Sequence, residues 1–189
     1  MSRNEFWEEE LRQKLRLKLS RKPKLQQKNL RKRERSKNLS KMNAGNVEKE
    51  TNKLENFVGI FDIKMLPDLK IVSYPCSLIV LTNQHWISIF MSHSSIEIMD
   101  SMGYLSNKKF SKFLRIFLSA HLIDKNLSLT PKIQADDSNL CALYSICFLY
   151  FRTLGCGNLC DFCQLFTSDF DQNCAVISQM YENIRKINN

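Results

Sequence analysis

The run from Leu140 to Phe151 (Leu-Cys-Ala-Leu-Tyr-Ser-Ile-Cys-Phe-Leu-Tyr-Phe) constrains the fold more than any other stretch of the chain. It exceeds the usual length of a strand, and as a helix it is apolar on nearly every side. Such a helix has no face to offer water, so it belongs at the centre of a core. Even extended to Leu154 it is interrupted by Ser145 and Arg152, and it falls short of the ~18–20 apolar residues that span a bilayer. No other stretch comes closer, so no membrane association is expected. The rest of the 189 residues, room for one ordinary domain, must surround it.

Charge divides the chain in two. Residues 1–55 hold 17 basic and 8 acidic side chains, an excess of nine that equals the net charge of the whole protein. Residues 56–189 are balanced at 11 of each and carry most of the aromatics. The expected organisation is a basic N-terminal extension, partly helical or disordered, followed by a domain over 56–189. Within the extension, residues 6–40 are rich in helix formers, with a thin apolar stripe at Leu11, Leu15 and Leu19, and Pro23 breaks or restarts the helix. Arg31, Lys32, Arg33, Arg35 and Lys37 form a basic cluster of the kind that attracts phosphates or nuclear import factors. A solvated tail is the plainer reading of the same residues. Residues 38–56 read as a linker. The opening Met1-Ser2-Arg3-Asn4 and the acidic run after it do not suit a secretory signal, and seven cysteines are an odd number. Reduced thiols in an intracellular compartment are expected.

In the neutral block, Ser77–Leu81 is a continuous apolar run of strand length, as for a strand buried on both faces. After a polar turn at 82–84, His85–Phe90 and Ser95–Asp100 alternate like two further strands. Asp62–Leu66 suits one helical turn before Pro67. Phe110, Phe113, Leu114, Phe117, Leu118 and Leu122 mark an amphipathic helix. Leu127–Gln134 reads as a strand placed at an edge or bend by Pro131. Asp136, Asp137, Ser138 and Asn139 offer capping side chains to the helix that follows, which stops at Gly155. Two shorter helices, about 159–166 and 173–186, complete the chain. The expected fold is α+β: a small, mostly antiparallel sheet with helices against it and one helix through the core.

Three residues of the kind a thiol hydrolase needs stand at element ends. His85 begins a strand, Asp100 closes the next, and Cys141 opens the buried helix. Adjacent antiparallel strands can bring His85 and Asp100 to one edge, where a carboxylate orients an imidazole and stabilises its charged form. A cysteine in a first helical turn meets unsatisfied N–H groups and the positive end of the macrodipole, both of which favour thiolate. Gln134, seven residues earlier, can join the Cys141 backbone N–H as an oxyanion donor. Each residue also has a plain structural reading: Cys141 as a small core residue, His85 as a strand histidine, Asp100 as a turn residue.

The ordered set resembles the adenovirus-type cysteine proteases and the related proteases of Polinton/Maverick transposons, which share a structural clan with the ubiquitin-like-protein proteases. The likeness runs from Phe57 to about Tyr150. Phe57-Val58-Gly59-Ile60-Phe61-Asp62 and Leu66-Pro67 look like the opening segment of that family. The others are Ser77–Leu81 with His85-Trp86, Phe90 through Asp100-Ser101-Met102-Gly103-Tyr104, and the Gln134/Cys141 spacing. The resemblance implies a papain-like or adenain-like fold and a cysteine endopeptidase that processes viral or transposon structural proteins through an acyl-enzyme thioester. It implies His85 as general base, Asp100 as orienter, Cys141 as nucleophile, Gln134 as oxyanion donor and Trp86 packed beside them. It further implies a polypeptide substrate with small residues at the cleavage site, DNA as an activating polyanion, and a nuclear or virion location. Two departures stand out: Ala142 occupies the position after the nucleophile where the family has Gly, and the loop before His85 is short. The alternatives are a protease that deconjugates ubiquitin-like proteins and a catalytically decayed copy acting as a basic DNA-binding protein. Cys156, Cys160, Cys163 and Cys174 raise a metal-site reading, but their irregular spacing favours plain thiols, so no metal is expected.

Overall fold

The computed structural model describes residues 42–105 and 111–188. The basic cluster at 31–37, the rest of the extension before residue 42, and Lys108, Lys109 and Phe110 of the amphipathic stretch lie outside the described residues. Eleven elements follow in order: helix α1 (Ala44–Thr51), β1 (Phe57–Asp62), a 3-10 segment (Ile63–Asp68), β2 (Cys76–Thr82), β3 (His85–Met91), β4 (Ser95–Met99), α2 (Lys112–His121), β5 (Asn126–Leu129), α3 (Cys141–Thr153), α4 (Leu159–Cys163) and α5 (Phe170–Asn188).

The five strands form one sheet in the order β1-β2-β3-β4-β5. The α+β class is as expected, but the sheet is mixed rather than mostly antiparallel. β2-β3 and β3-β4 are antiparallel, whereas both edges, β1-β2 and β4-β5, are parallel. Helical segments intervene in both edge connections, and these reverse the chain so that the edge strands run with their neighbours. That could not be read from strand patterns alone, because alternation reports burial and not direction. The strand expected over 127–134 is only Asn126–Leu129, and it does take an edge position.

Alternation along β3 sorts the core into two layers. Ile87, Ile89 and Met91 face Leu114, Phe117 and Leu118 of α2 together with Leu66 of the 3-10 segment. Trp86 and Phe90 face the other way, into the cluster built around α3. The sheet is thus covered on both sides, and the uninterrupted apolar run in β2 follows from that. In α3, all residues from Cys141 to Phe151 are buried. The Ser88 hydroxyl donates to the Ser145 carbonyl at 3.3 Å, so a small side chain on β3 lets the helix lie close on the sheet.

Two local expectations change. The linker over 38–56 contains α1, whose Val47 and Thr51 are fully buried; Val47 and the following Leu54 belong to the core around α3. Asn43 caps α1 by accepting from the Asn46 N–H. The amphipathic pattern there is short, and charged residues around it hide it from a composition-based reading. Further on, none of Asp136, Asp137, Ser138 or Asn139 caps α3: its N-cap is Leu140, with no side-chain capping bond.

The far end of α3 is held by charge. Arg152 Nε lies 3.1 Å from Glu97 Oε2, an ion-pair distance without hydrogen-bond alignment. The guanidinium carbon sits 4.3 Å from the centroid of the Phe90 ring. Glu97 Oε2 also accepts from the Leu159 N–H at 2.9 Å, which ties β4 to the start of α4. Burial pushes the Glu97 carboxyl up, and the Arg152 charge and the Leu159 bond oppose it. Replacing one partner of such a pair strands the other charge. Arg152→Leu is therefore expected to lower unfolding free energy by about 3–5 kcal/mol, with the double variant Glu97→Leu/Arg152→Leu recovering much of the loss in urea melts.

Candidate active site

His85 owes its place to the β2-β3 turn. Asn83 and Gln84 take φ of 47° and 66°, the left-handed pair that makes a tight two-residue hairpin with the right twist. His85 is thereby set opposite Thr82 at the very start of β3. Asp100 directly follows β4, and Ser88 pairs with Met99, so both residues stand at the same end of neighbouring strands. His85 Nε2 and Asp100 Oδ1 are 2.7 Å apart.

Asp100 is itself fixed on several sides. Its second oxygen accepts from the Leu105 N–H at 2.8 Å, and its own N–H donates to Thr130 Oγ1 at 2.6 Å. The Gly103 N–H closes the turn onto the Asp100 carbonyl at 2.9 Å. Gly103 needs its positive φ of 68° there, and a Cβ would sit 2.8 Å from the Lys132 backbone nitrogen. The aspartate is 1% exposed, so a carboxylate is kept out of bulk water beside the ring it orients.

With Nε2 on Asp100, Nδ1 is the ring atom left for Cys141. The His85 ring and the backbone N–H groups of Trp86 and Ala142 are the groups that favour the Cys141 thiolate. Burial raises the thiol, but those three donors and the His85 charge outweigh it, and the net direction is downward. Burial likewise lowers the imidazole; the hydrogen bonds and charges of Asp100 and Cys141 prevail and lift it to about 9. The two shifts favour the thiolate–imidazolium form near neutral pH. Elsewhere burial pushes thiols up, Cys76 to about 11 and Cys163 to about 12.

The other sequence candidates are placed as follows. Trp86 is buried in the same core cluster as Cys141. Ala142 is 1% exposed, so its methyl packs in that core instead of filling open cleft. Gln134 is wholly buried. Its Oε1 accepts from Ser101 Oγ at 2.6 Å, and its Nε2 donates to the Ser138 carbonyl at 2.6 Å, leaving one amide N–H. It thus joins the turn after Asp100 to the loop before Cys141. Asn173 of α5 pins the same loop by donating to the Ile133 carbonyl at 2.9 Å.

Sequence reasoning missed Thr130, Ser101 as a partner of Gln134, and Tyr104, whose ring meets His85 edge-on at 5.3 Å between centroids. Ser101 and Tyr104 lie in the stretch after Asp100 and were within reach; nothing in the sequence links Thr130 to Asp100. Among the described residues, no three or more His, Cys, Asp or Glu side chains gather to hold a metal ion, and no helix is long and apolar enough to cross a membrane. No protein-family model matches the chain, and no curated protein matches it.

The ion pair predicts selective chemistry. At pH 6, where an ordinary thiol is largely protonated, iodoacetamide is expected to label Cys141 ahead of the other six cysteines. In His85→Ala that advantage should vanish, as read by peptide mass spectrometry. Even labelling across all seven in the parent protein would contradict the pair.

Proposed function

We propose that this protein is a cysteine endopeptidase of adenovirus type, acting on polypeptides through an acyl-enzyme thioester. The observation that carries this reading is the 2.7 Å contact of Asp100 Oδ1 with His85 Nε2, together with Cys141 at the uncapped start of a buried helix and a thiol that the His85 ring shifts downward.

The Cys141 thiolate attacks the scissile carbonyl, and the electron pair of the C=O moves onto oxygen. The first-turn N–H of Cys141 faces that oxyanion, and the remaining N–H of Gln134 is the second donor. His85, charged before attack, passes its proton to the leaving amine as the C–N bond breaks. The neutral ring then takes a proton from water, whose oxygen attacks the thioester; the C–S bond breaks, and the acid product leaves with Cys141 restored. Asp100 holds the ring so that Nδ1 stays on the sulfur and offsets the imidazolium charge. The substrate class inferred from the family resemblance is viral or transposon structural protein, cut beside small residues.

A basic extension favours a second, compatible role. Its excess of nine positive charges suits binding to DNA, which would concentrate the enzyme on a polyanion. Because α1 is packed into the core, truncation belongs before residue 42 and not inside the helix.

Three outcomes test the reading. Cys141→Ser and His85→Ala are each expected to lower peptide turnover by about 10^3-fold or more, and Asp100→Asn by less. If Cys141→Ser digests peptides like the parent, the assignment is wrong. Turnover should also fall as pH rises through about 9: the His85 value is raised, so its charged form is present at lower pH and lost there. The acid limb should lie below that of an ordinary thiol, since Cys141 is shifted down. Removing residues 1–41 is expected to keep cleavage while abolishing salt-dependent DNA binding, measured by anisotropy over a salt series.

A further inference from the structure

Gln134 carries an amide, and an amide serves or opposes an oxyanion according to which end it presents. Its N–H groups stabilise developing negative charge, and its carbonyl oxygen repels it. Two contacts decide between these ends. The Ser138 carbonyl can only accept, so the atom 2.6 Å from it is Nε2, and Oε1 turns the other way. There the Ser101 hydroxyl donates to Oε1 at 2.6 Å. Gln134 is wholly buried and Ser101 is 1% exposed, so this hydroxyl stands where water would otherwise serve. Ser101 also holds the backbone of the same segment, since its carbonyl accepts from the Ile133 and Gln134 N–H groups, each at 3.0 Å.

We propose that Ser101 is the positioning residue for the oxyanion amide of Gln134, gripping its main chain through a carbonyl and its side chain through a hydroxyl. The proposal rests on the endopeptidase reading of the site, in which the remaining Gln134 N–H serves the oxyanion.

Position and polarisation both follow from the hydroxyl contact. Without it, Oε1 is a buried acceptor lacking its donor, and the side chain gains by turning toward another. Any such turn shifts the second N–H away from the oxyanion, and hydrogen bonds weaken steeply when misaligned. A hydroxyl donating to an amide oxygen also draws electron density from the nitrogen, which makes the N–H a better donor. That gain is largest when negative charge forms beside it, so it belongs to the transition state and not to the bound substrate. Ser101 directly follows Asp100, so one turn sets the orienter of His85 at its first residue and the oxyanion donor at its second. The two duties are separable. Asp100 is fixed by Thr130, Leu105 and Gly103, and none of these contacts uses the Ser101 hydroxyl.

Alkylation and acyl transfer tell these duties apart, because attack of the thiolate on the iodoacetamide methylene forms no oxyanion. The full-length protein is acylated with N-acetylglycine 4-nitrophenyl ester. The Cys141 thiolate attacks the ester carbonyl, the ester C–O bond breaks, and nitrophenolate leaves with the electron pair as the thioester forms. Ser101→Ala is expected to slow this burst at saturating ester by about tenfold or more, with the half-saturating concentration unchanged to within about twofold. Selective labelling of Cys141 by iodoacetamide at pH 6 should persist in the same variant. Gln134→Ala should slow the burst by about 10^2-fold. The double variant Ser101→Ala/Gln134→Ala should be no slower than Gln134→Ala, because the hydroxyl acts only through the amide. A parental burst rate in Ser101→Ala, or a further loss of about tenfold when that change is added to Gln134→Ala, would overturn the proposal. Loss of selective labelling in Ser101→Ala would overturn it too, by assigning Ser101 to the thiolate–imidazolium pair or to the fold. Absence of a burst from the correctly folded parent protein would overturn the endopeptidase reading, and the proposal with it.

Discussion

A helix with no polar face has to be enclosed, and the enclosure of α3 organises everything around it. The sheet covers one side, α5 another, and α1 reaches back from ahead of β1 to cover a third. An enclosed helix still has two ends, and each is treated differently. The C-terminal end is locked by Arg152 against Glu97 and the Phe90 ring. The N-terminal end has no side-chain cap and presents Cys141 to the starting edge of β3. Backbone N–H groups that would ordinarily seek a capping oxygen are thereby turned toward a sulfur and whatever binds beside it.

Electrostatics at that edge work against burial and prevail. A thiolate and an imidazolium are each disfavoured in a partly dry environment, yet His85 is the main stabilising partner of the thiolate, and Asp100 ahead of Cys141 stabilises the imidazolium. Such a pair depends on position, because hydrogen bonds weaken steeply once misaligned. The surrounding polar contacts supply rigidity. Thr130 holds the Asp100 backbone, and Ser101 and Gln134 bridge to the Ser138 carbonyl on the approach to the nucleophile. Asp100 and Cys141 come from segments far apart in the chain, and this buried bridge makes their separation a property of the fold and not of either loop. Tyr104 extends the same edge outward, its ring set edge-on against His85.

Much was legible before any coordinates. The strands that became β2, β3 and β4 and the central helix could be read off, because burial writes a period-2 or all-apolar pattern directly into side-chain order. Capping of α3 was misread because Asp136, Asp137, Ser138 and Asn139 have the right chemistry, while the backbone holds them in a turn fastened through Gln134 and Asn173 to other elements. Helix α1 was misread as linker because a short amphipathic segment with one buried valine leaves little periodic signal.

Residue types and their spacing determined that there would be one enclosed helix, a sheet buried on both faces, and a cysteine, a histidine and an aspartate at element ends. Strand direction at the two sheet edges, the 2.7 Å contact between His85 and Asp100 and the downward shift of the Cys141 thiol were decided only in three dimensions. Local periodicity records what each side chain must avoid, namely water. Which partner it meets depends on contacts between segments distant in sequence, and no single segment carries that information.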